Sequence, residues 1–234
     1  MAGVYSNLEI KQAIKDGHIV FHPYQPEHIN GSSVDVTLGE WYFRTDRKSP
    51  TTVYNPFDKD EVERYFGEPQ KAILHKDWCK QTGNEPLKNV PDDHPVIVIE
   101  PGERILAHTN EFIGILPPGT TSMQSRSTWG RNGVAVCFDA GWGDPGYINL
   151  WTMEFYNLNQ RHSVVLPVGE RVAQIVVMHT GEVEGSYDNL SGKYSAGTNL
   201  DDLINTWQPH QMLPRAYKDS RIASPRPDSI SPEL

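Results

Sequence analysis

With 234 residues, 37% of them hydrophobic and 10% aromatic, the chain holds enough apolar material for one packed domain with appendages, which excludes wholesale disorder. A formal net charge of −9 argues against a general binder of nucleic acid or membrane surfaces, though not against a local basic pocket for a small polyanion. Two widely separated cysteines, Cys79 and Cys137, fit a reducing cytosol, and neither a signal core nor a run of membrane-spanning length is present, so a cytoplasmic protein is expected.

The first element is a short amphipathic helix in "SNLEIKQAIKDG", capped by Ser6, with Leu8, Ile10 and Ile14 on one side and Gly17 as its stop. In "INGSSVDVTLGEWYFRT", Val34, Val36 and Leu38 alternate with Asp35 and Thr37, the two-residue period of a half-buried strand. Residues 46–95 are polar and proline-punctuated and read as an insertion, with one helical turn in "DKDEVERYF". Strand patterns then follow at close spacing in "HPVIVIEPGERILAHTNEFIGILPPGT", "GVAVCF", "YINLWTMEFYN" and "HSVVLPVGERVAQIVVMHTG". Many short strands and one clear helix predict a mainly β fold, a distorted antiparallel barrel or jelly roll. From about Ser186 the chain is rich in glycine and serine, as a mobile arm would be, and residues 198–234 read as a partly disordered extension of a domain spanning 1–197.

Three groups of residues carry chemistry. No HExxH, Walker loop or clustered Cys/His set occurs, and the H-x-E…P-C-x-x-C signature of zinc deaminases is missing, so water activation here is expected to proceed without zinc. In "MQSRSTWGRNG", Arg126, Ser127 and Thr128 offer a guanidinium and two hydroxyls suited to phosphate oxygens, against the plainer reading of a polar turn. In "FDAGWGDPGYINLWTMEFYN", Asp144 stands beside Pro145-Gly146 as a turn former would. Glu154 shares a strand face with Leu150 and Thr152, while Trp151, Met153 and Phe155 take the other face. Desolvation there raises a carboxyl pKa into the range useful for moving protons; a structural glutamate paired with an arginine such as Arg131 is the alternative.

These residues resemble the dCTP deaminases of the trimeric dUTPase superfamily. Five pieces carry the likeness in family order: "INGSSVDVTLG", "SRSTWGRNG", "AGWGDPGY" with "MEFYN", "VGERVAQIVV" and "GKYSAG". The resemblance implies Glu154 as general acid/base, with Ser127 and Arg131 holding water and charge at the reacting centre. It implies Ala140, beside Asp139, at the pyrimidine edge and Tyr147 on the deoxyribose. It implies Arg126, Thr128, Gln174, Tyr187 and Lys193 on the substrate, with Asp144 in the same site and Mg²⁺ carried by the triphosphate. A homotrimer acting on dCTP or dUTP is implied too, with sites between subunits and no nucleic acid or membrane partner.

The leading expectation is deamination of dCTP to dUTP and ammonia. The alternatives are a bifunctional enzyme giving dUMP and pyrophosphate, which Asp144 motivates, and a non-catalytic regulatory trimer. Departures from the family pattern fall at Asp139-Ala140, where many members have Thr-Ala, at Gly143 in place of a branched apolar residue, at Asn149 in place of glycine, and at Gly197 in place of glutamine.

Overall fold

The computed structural model describes residues 3–45, 52–185, 187 and 192–219. Among them the strands are β1 (Ile19–His22), β2 (Ile29–Asn30), β3 (Ser33–Arg44), β4 (Gln70–Lys71), β5 (Ile73–Leu74), β6 (Pro95–Ile99), β7 (Arg104–Ile115), β8 (Thr120–Ser125), β9 (Val134–Ala135), β10 (Trp142–Gly143), β11 (Ile148–Asn157), β12 (Val164–Pro167) and β13 (Arg171–Met178). The helices are α1 (Asn7–Lys15), α2 (Lys59–Phe66), α3 (His75–Thr82), α4 (Ser127–Arg131) and α5 (Leu200–Thr206).

Every strand pairing is antiparallel. The main sheet runs β10-β8-β13-β3-β7-β11-β9, with β1, β2 and β4 attached at its margins, and a second sheet runs β12-β6-β5. Register shifts between Leu38 and Tyr42, Leu150 and Thr152, and Arg171 and Ala173 bend the long strands, so the main sheet curls as an open barrel. This is the expected mainly β architecture, a distorted antiparallel barrel. Ile97, Ile99 and Leu166 of the second sheet join Val34, Val36, Ile105, Met153 and Phe155 in one core, each at or below 1% exposure. No helix among the described residues is long and apolar enough to cross a membrane.

Helix α1 begins in a capping box: Ser6 Oγ accepts from Glu9 N at 3.3 Å, and Glu9 Oε2 accepts from Ser6 N at 2.8 Å. Ile10 and Ala13 are its buried residues, whereas Leu8, expected on the same face, is 73% exposed.

Three expectations are revised. Strand β3 is not half-buried, because Asp35 and Thr37 are enclosed together with Val34, Val36 and Leu38. The polar pair is tolerated because it is bonded: Thr37 donates from N and Oγ1 to the buried Glu111 carboxylate at 2.9 and 2.7 Å. Asp35 accepts from Arg126, from Arg171 Nη1 at 3.1 Å and from Asn30 Nδ2 at 3.2 Å.

Second, the polar stretch after residue 46 contributes more than a turn. Asp58 caps the two-turn helix α2, whose Val62 and Phe66 pack on Phe43 and Leu106. Third, residues 199–219 are not a loose extension. Asn199 caps α5, Leu203 seats beside Phe112, Ile148 and Leu150, and Met212 and Leu213 join the Phe43–Phe66 cluster. Residues 220–234, expected to be disordered, lie outside the described residues.

The β3–β7 contact has a tight point. His108 is buried, and burial pushes its pKa down to about 4, so the imidazole is neutral. Its Nδ1 donates to Thr109 O at 2.7 Å and its Nε2 accepts from Trp41 N at 3.2 Å. A Cβ on Gly39 would fall 2.1 Å from that ring. We therefore expect Gly39→Ala to destabilise the fold by about 1–3 kcal/mol, the usual range for overpacking, read as a lowered thermal midpoint. An unchanged midpoint would contradict this packing.

Candidate active site

Strand β11 builds the site from its middle. Met153 and Phe155 are fully buried in the core, which fixes the strand and turns Leu150, Thr152 and Glu154 to the opposite face. That face lines a cavity of about 410 Å³ whose walls include Arg104 and Leu106 of β7, Ala140, Trp142, Asp144 and Tyr147 of the preceding hairpin, and Phe66 of α2. The Glu154 carboxyl is partly enclosed, and its Oε2 is buried without a hydrogen-bond partner. Burial pushes its pKa up to about 7, and the nearby Arg104 guanidinium opposes that rise only in part. A carboxyl poised near neutrality can take a proton from water and give it back.

The hairpin before β11 is set by its turn. Asp144-Pro145-Gly146-Tyr147 closes with Tyr147 N donating to Asp144 O at 2.9 Å, and Gly146 has φ +88°, the glycine-favouring third position of a type II turn. Asp144 is exposed at the cavity wall. Tyr147 packs edge-on against Trp151, with ring centroids 5.3 Å apart. The departure at Gly143 now has a steric reason: a Cβ there would meet Trp151 ring atoms at 2.4 Å and Thr121 Oγ1 at 2.2 Å. A bulky indole on β11 has taken the space of the branched residue. Before the hairpin, Cys137, Phe138 and Asp139 all have positive φ, a run of strained backbone that delivers Ala140 to the cavity. Asp139 itself is exposed and outside the cavity wall. Burial, with Glu154 nearby, pushes the Cys137 thiol up to about 12, so it is no nucleophile.

The structure brings together Glu154, Ala140, Asp144, Tyr147 and Tyr187. It does not bring Arg126, Ser127, Thr128, Arg131, Gln174 or Lys193 to the same walls. Ser127, Thr128 and Arg131 sit on the short helix α4, all exposed, and the cation beside Glu154 is Arg104 rather than Arg131. Arg126 precedes α4 and is bound to Asp35, which also holds Arg171. Gln174 lies on β13 in register with Asp35 and Gln124, on the same side of the sheet as that ion cluster. Lys193 is paired with Asp219 at 2.9 Å.

Sequence reasoning missed Arg104, Phe66, Tyr194 and Trp207, which all line the cavity. Arg104 follows an ordinary Pro-Gly turn and carries no signal of its own. Phe66 had one, since Val62 and Phe66 stand four apart in the insertion, the spacing of one helix face.

Comparison with known proteins agrees with this geometry. A family model described as dCTP deaminase-like matches residues 4–180. A protein of Methanopyrus kandleri named dCTP deaminase, dUMP-forming, is 32% identical over 202 residues, covering 82% of this chain and 90% of that one. One of Nanoarchaeum equitans with the same name is 30% identical over 190 residues, covering 81% and 90%. Among solved structures, a 2′-deoxycytidine 5′-triphosphate deaminase from Agrobacterium tumefaciens superposes with a TM-score of 0.52 at 15% identity, over 76% of this chain and 49% of that one, a likeness of fold. With its curled antiparallel sheet and its desolvated glutamate on β11, the chain belongs to the dCTP deaminase-like family.

Proposed function

We propose that the protein converts dCTP to dUMP in two hydrolytic steps, and the observation that carries this is Glu154, a near-neutral carboxyl whose Oε2 is buried without a partner in a cavity of nucleoside size. In the first step Glu154 takes a proton from a water molecule as its oxygen adds to C4 of cytosine. The same carboxyl then delivers protons to the amine, and ammonia leaves from the tetrahedral carbon to give dUTP. In the second step Asp144 activates a water for attack at the α-phosphorus, and the bond to pyrophosphate breaks to leave dUMP. The sum is dCTP and two waters giving dUMP, ammonia and pyrophosphate. Deamination that stops at dUTP was the leading expectation from sequence; the dUMP-forming names of both quoted relatives, with Asp144 on the same cavity wall as Glu154, support the two-step reading instead.

The site is completed by a neighbouring subunit in a homotrimer. Within one chain the cavity meets Arg104 but none of Arg126, Ser127, Thr128 or Arg131, and a triphosphate with a developing negative charge at the base needs such donors. The α4 loop of a second copy supplies Ser127 and Arg131 to the reacting centre and Arg126 and Thr128 to phosphate oxygens. Tyr147 packs on the deoxyribose, and the Ala140 backbone reads the pyrimidine edge. Mg²⁺ enters with the nucleotide, whose phosphate oxygens would hold it.

Four outcomes are expected. Glu154→Gln lowers dCTP turnover by about 10²–10⁴-fold, the range for losing a general acid/base. The same variant is more stable than the parent at pH 8, by about 1–3 kcal/mol, and nearly equal at pH 4.5. The folded pKa of Glu154 lies above its usual value, so the parent loses stability as pH rises to about 7 and keeps that deficit above it. Thermal melts at the two pH values read the sign. Asp144→Asn accumulates dUTP from dCTP on a chromatographic time course; continued dUMP formation would leave the second step without its base. Finally, inactive Glu154→Gln and Arg131→Ala chains, co-expressed, recover about a quarter of parental activity, since random trimers pair intact halves at that frequency. No recovery would place each site within a single chain.

A further inference from the structure

Beyond the family-matched span, residues 192–219 make a continuous set of contacts that ends at the cavity mouth. Tyr187 N donates to Pro145 O at 2.9 Å, and its ring stands edge-on to Tyr147 at 5.2 Å. Gly192 lies against that ring so closely that a Cβ would fall 2.3 Å from it. Tyr194 N donates to Tyr187 Oη at 3.2 Å. The Arg215 guanidinium lies 5.5 Å from the Tyr194 ring centroid, its Nη1 donates to Lys193 O at 2.9 Å, and its backbone N donates to Tyr194 Oη at 3.1 Å. Lys193 Nζ then meets Asp219 Oδ2 at 2.9 Å. Asp219 is held at the end of a helical turn, with its N donating to Ala216 O at 2.9 Å.

Two features distinguish this from a strap that merely packs. Leu203, Met212 and Leu213 anchor the segment in the body, so Arg215 and Asp219 are carried on a fixed support. And the side chain neutralised by Asp219 is the lysine that the resemblance puts on phosphate. A carboxylate on an ammonium occupies the position that a phosphate oxygen would take, and the two anions compete for it.

We propose that residues 199–219 form a clasp on the nucleotide site, in which Arg215 fixes Lys193 and Tyr194 beside the Glu154 cavity and Asp219 is a resident counter-ion of Lys193 that a polyphosphate displaces. This rests on the reading of Lys193 as a phosphate ligand. The Lys193 and Asp219 side chains are 36% and 16% exposed, so the competition is modest in size.

The test is calorimetric titration of the full-length protein with inorganic tripolyphosphate, with dCTP turnover followed in parallel. Asp219→Asn is expected to bind tripolyphosphate about three- to fivefold more tightly than the parent, the scale of one partly exposed ion pair. Arg215→Ala is expected to bind at least about tenfold more weakly, and Arg215→Lys, which keeps the charge but loses the fork, falls between them. A purely structural role for Asp219 would give the opposite sign, so unchanged or weaker binding by Asp219→Asn overturns the proposal, as does a parent that binds no tripolyphosphate. Tighter binding in Asp219→Asn without any dCTP turnover in the parent would sink the deaminase reading and leave the clasp standing.

Discussion

The proposed chemistry depends on one carboxyl group taken out of water, with one of its oxygens left without a hydrogen-bond donor. Raising the pKa of Glu154 from an ordinary 4.5 to about 7 costs the ionised form about 3 kcal/mol, a large fraction of what holds a small domain together. A flexible support would relieve that cost by letting the side chain swing into solvent. Strand β11 does not allow this, because Met153 and Phe155 on either side of Glu154 are locked in the core and β7 is paired along almost the whole strand. The walls that exclude water come from sequence-distant pieces: Phe66 of α2, Leu106 of β7, and Trp207 and Met212 of the carboxy-terminal segment. The insertion and the extension thus maintain the dielectric around the acid.

The second constraint is charge separation within the chain. The cavity holds two carboxyl groups, those of Glu154 and Asp144, and Arg104, whereas Arg126 and Arg171 are paired with the buried Asp35 and do not line it. In a protein of net charge −9, that leaves the cavity poorly suited by itself to a nucleoside triphosphate. Asp35 is only 1% exposed, so its two arginines do more than decorate a surface: they pair with a buried acid and are themselves held in fixed orientation. A preorganised guanidinium loses less freedom on meeting a phosphate than a free one does, so on the proposed reading of Arg126 as a phosphate ligand a buried aspartate on β3 would contribute to binding at a distance.

How much of this was legible follows from the kind of signal each residue carries. The strand pattern around Glu154, the Asp-Pro-Gly turn and the capped first helix were readable because local sequence dictates them. The burial of Asp35 and Thr37 was not, because alternation marks polar residues as outward-facing and only the distant partners Arg126, Arg171 and Glu111 make their burial tolerable. The glycine at position 143 read only as a departure from the family pattern; its steric reason, the Trp151 ring that a Cβ there would meet, lies eight residues on and is not visible in local sequence. The carboxy-terminal segment misled through composition. The glycine- and serine-rich stretch before it and the proline- and serine-rich stretch after it suggested mobility for the whole extension, yet between them four apolar residues, Leu203, Trp207, Met212 and Leu213, pack against Phe43, Leu106, Phe112 and Leu150.

Two hydrolytic steps in one site ask for two bases with different tasks, and the two carboxylates differ in the property that matters. Addition of water to C4 leaves a nitrogen that must be protonated before it departs, so the base there has to surrender its proton again, and enclosure of Glu154 supplies a conjugate acid of the right strength. Displacement of pyrophosphate ends with a stabilised anion that needs little proton help, so a base at the phosphate end need only orient and deprotonate water. Asp144, exposed on a turn whose backbone is fixed by Pro145 and Gly146, meets that lesser demand. On the two-step reading proposed above, the difference in burial between two acids on one cavity wall would be a division of labour, set by where the hairpin ends and the core strand begins.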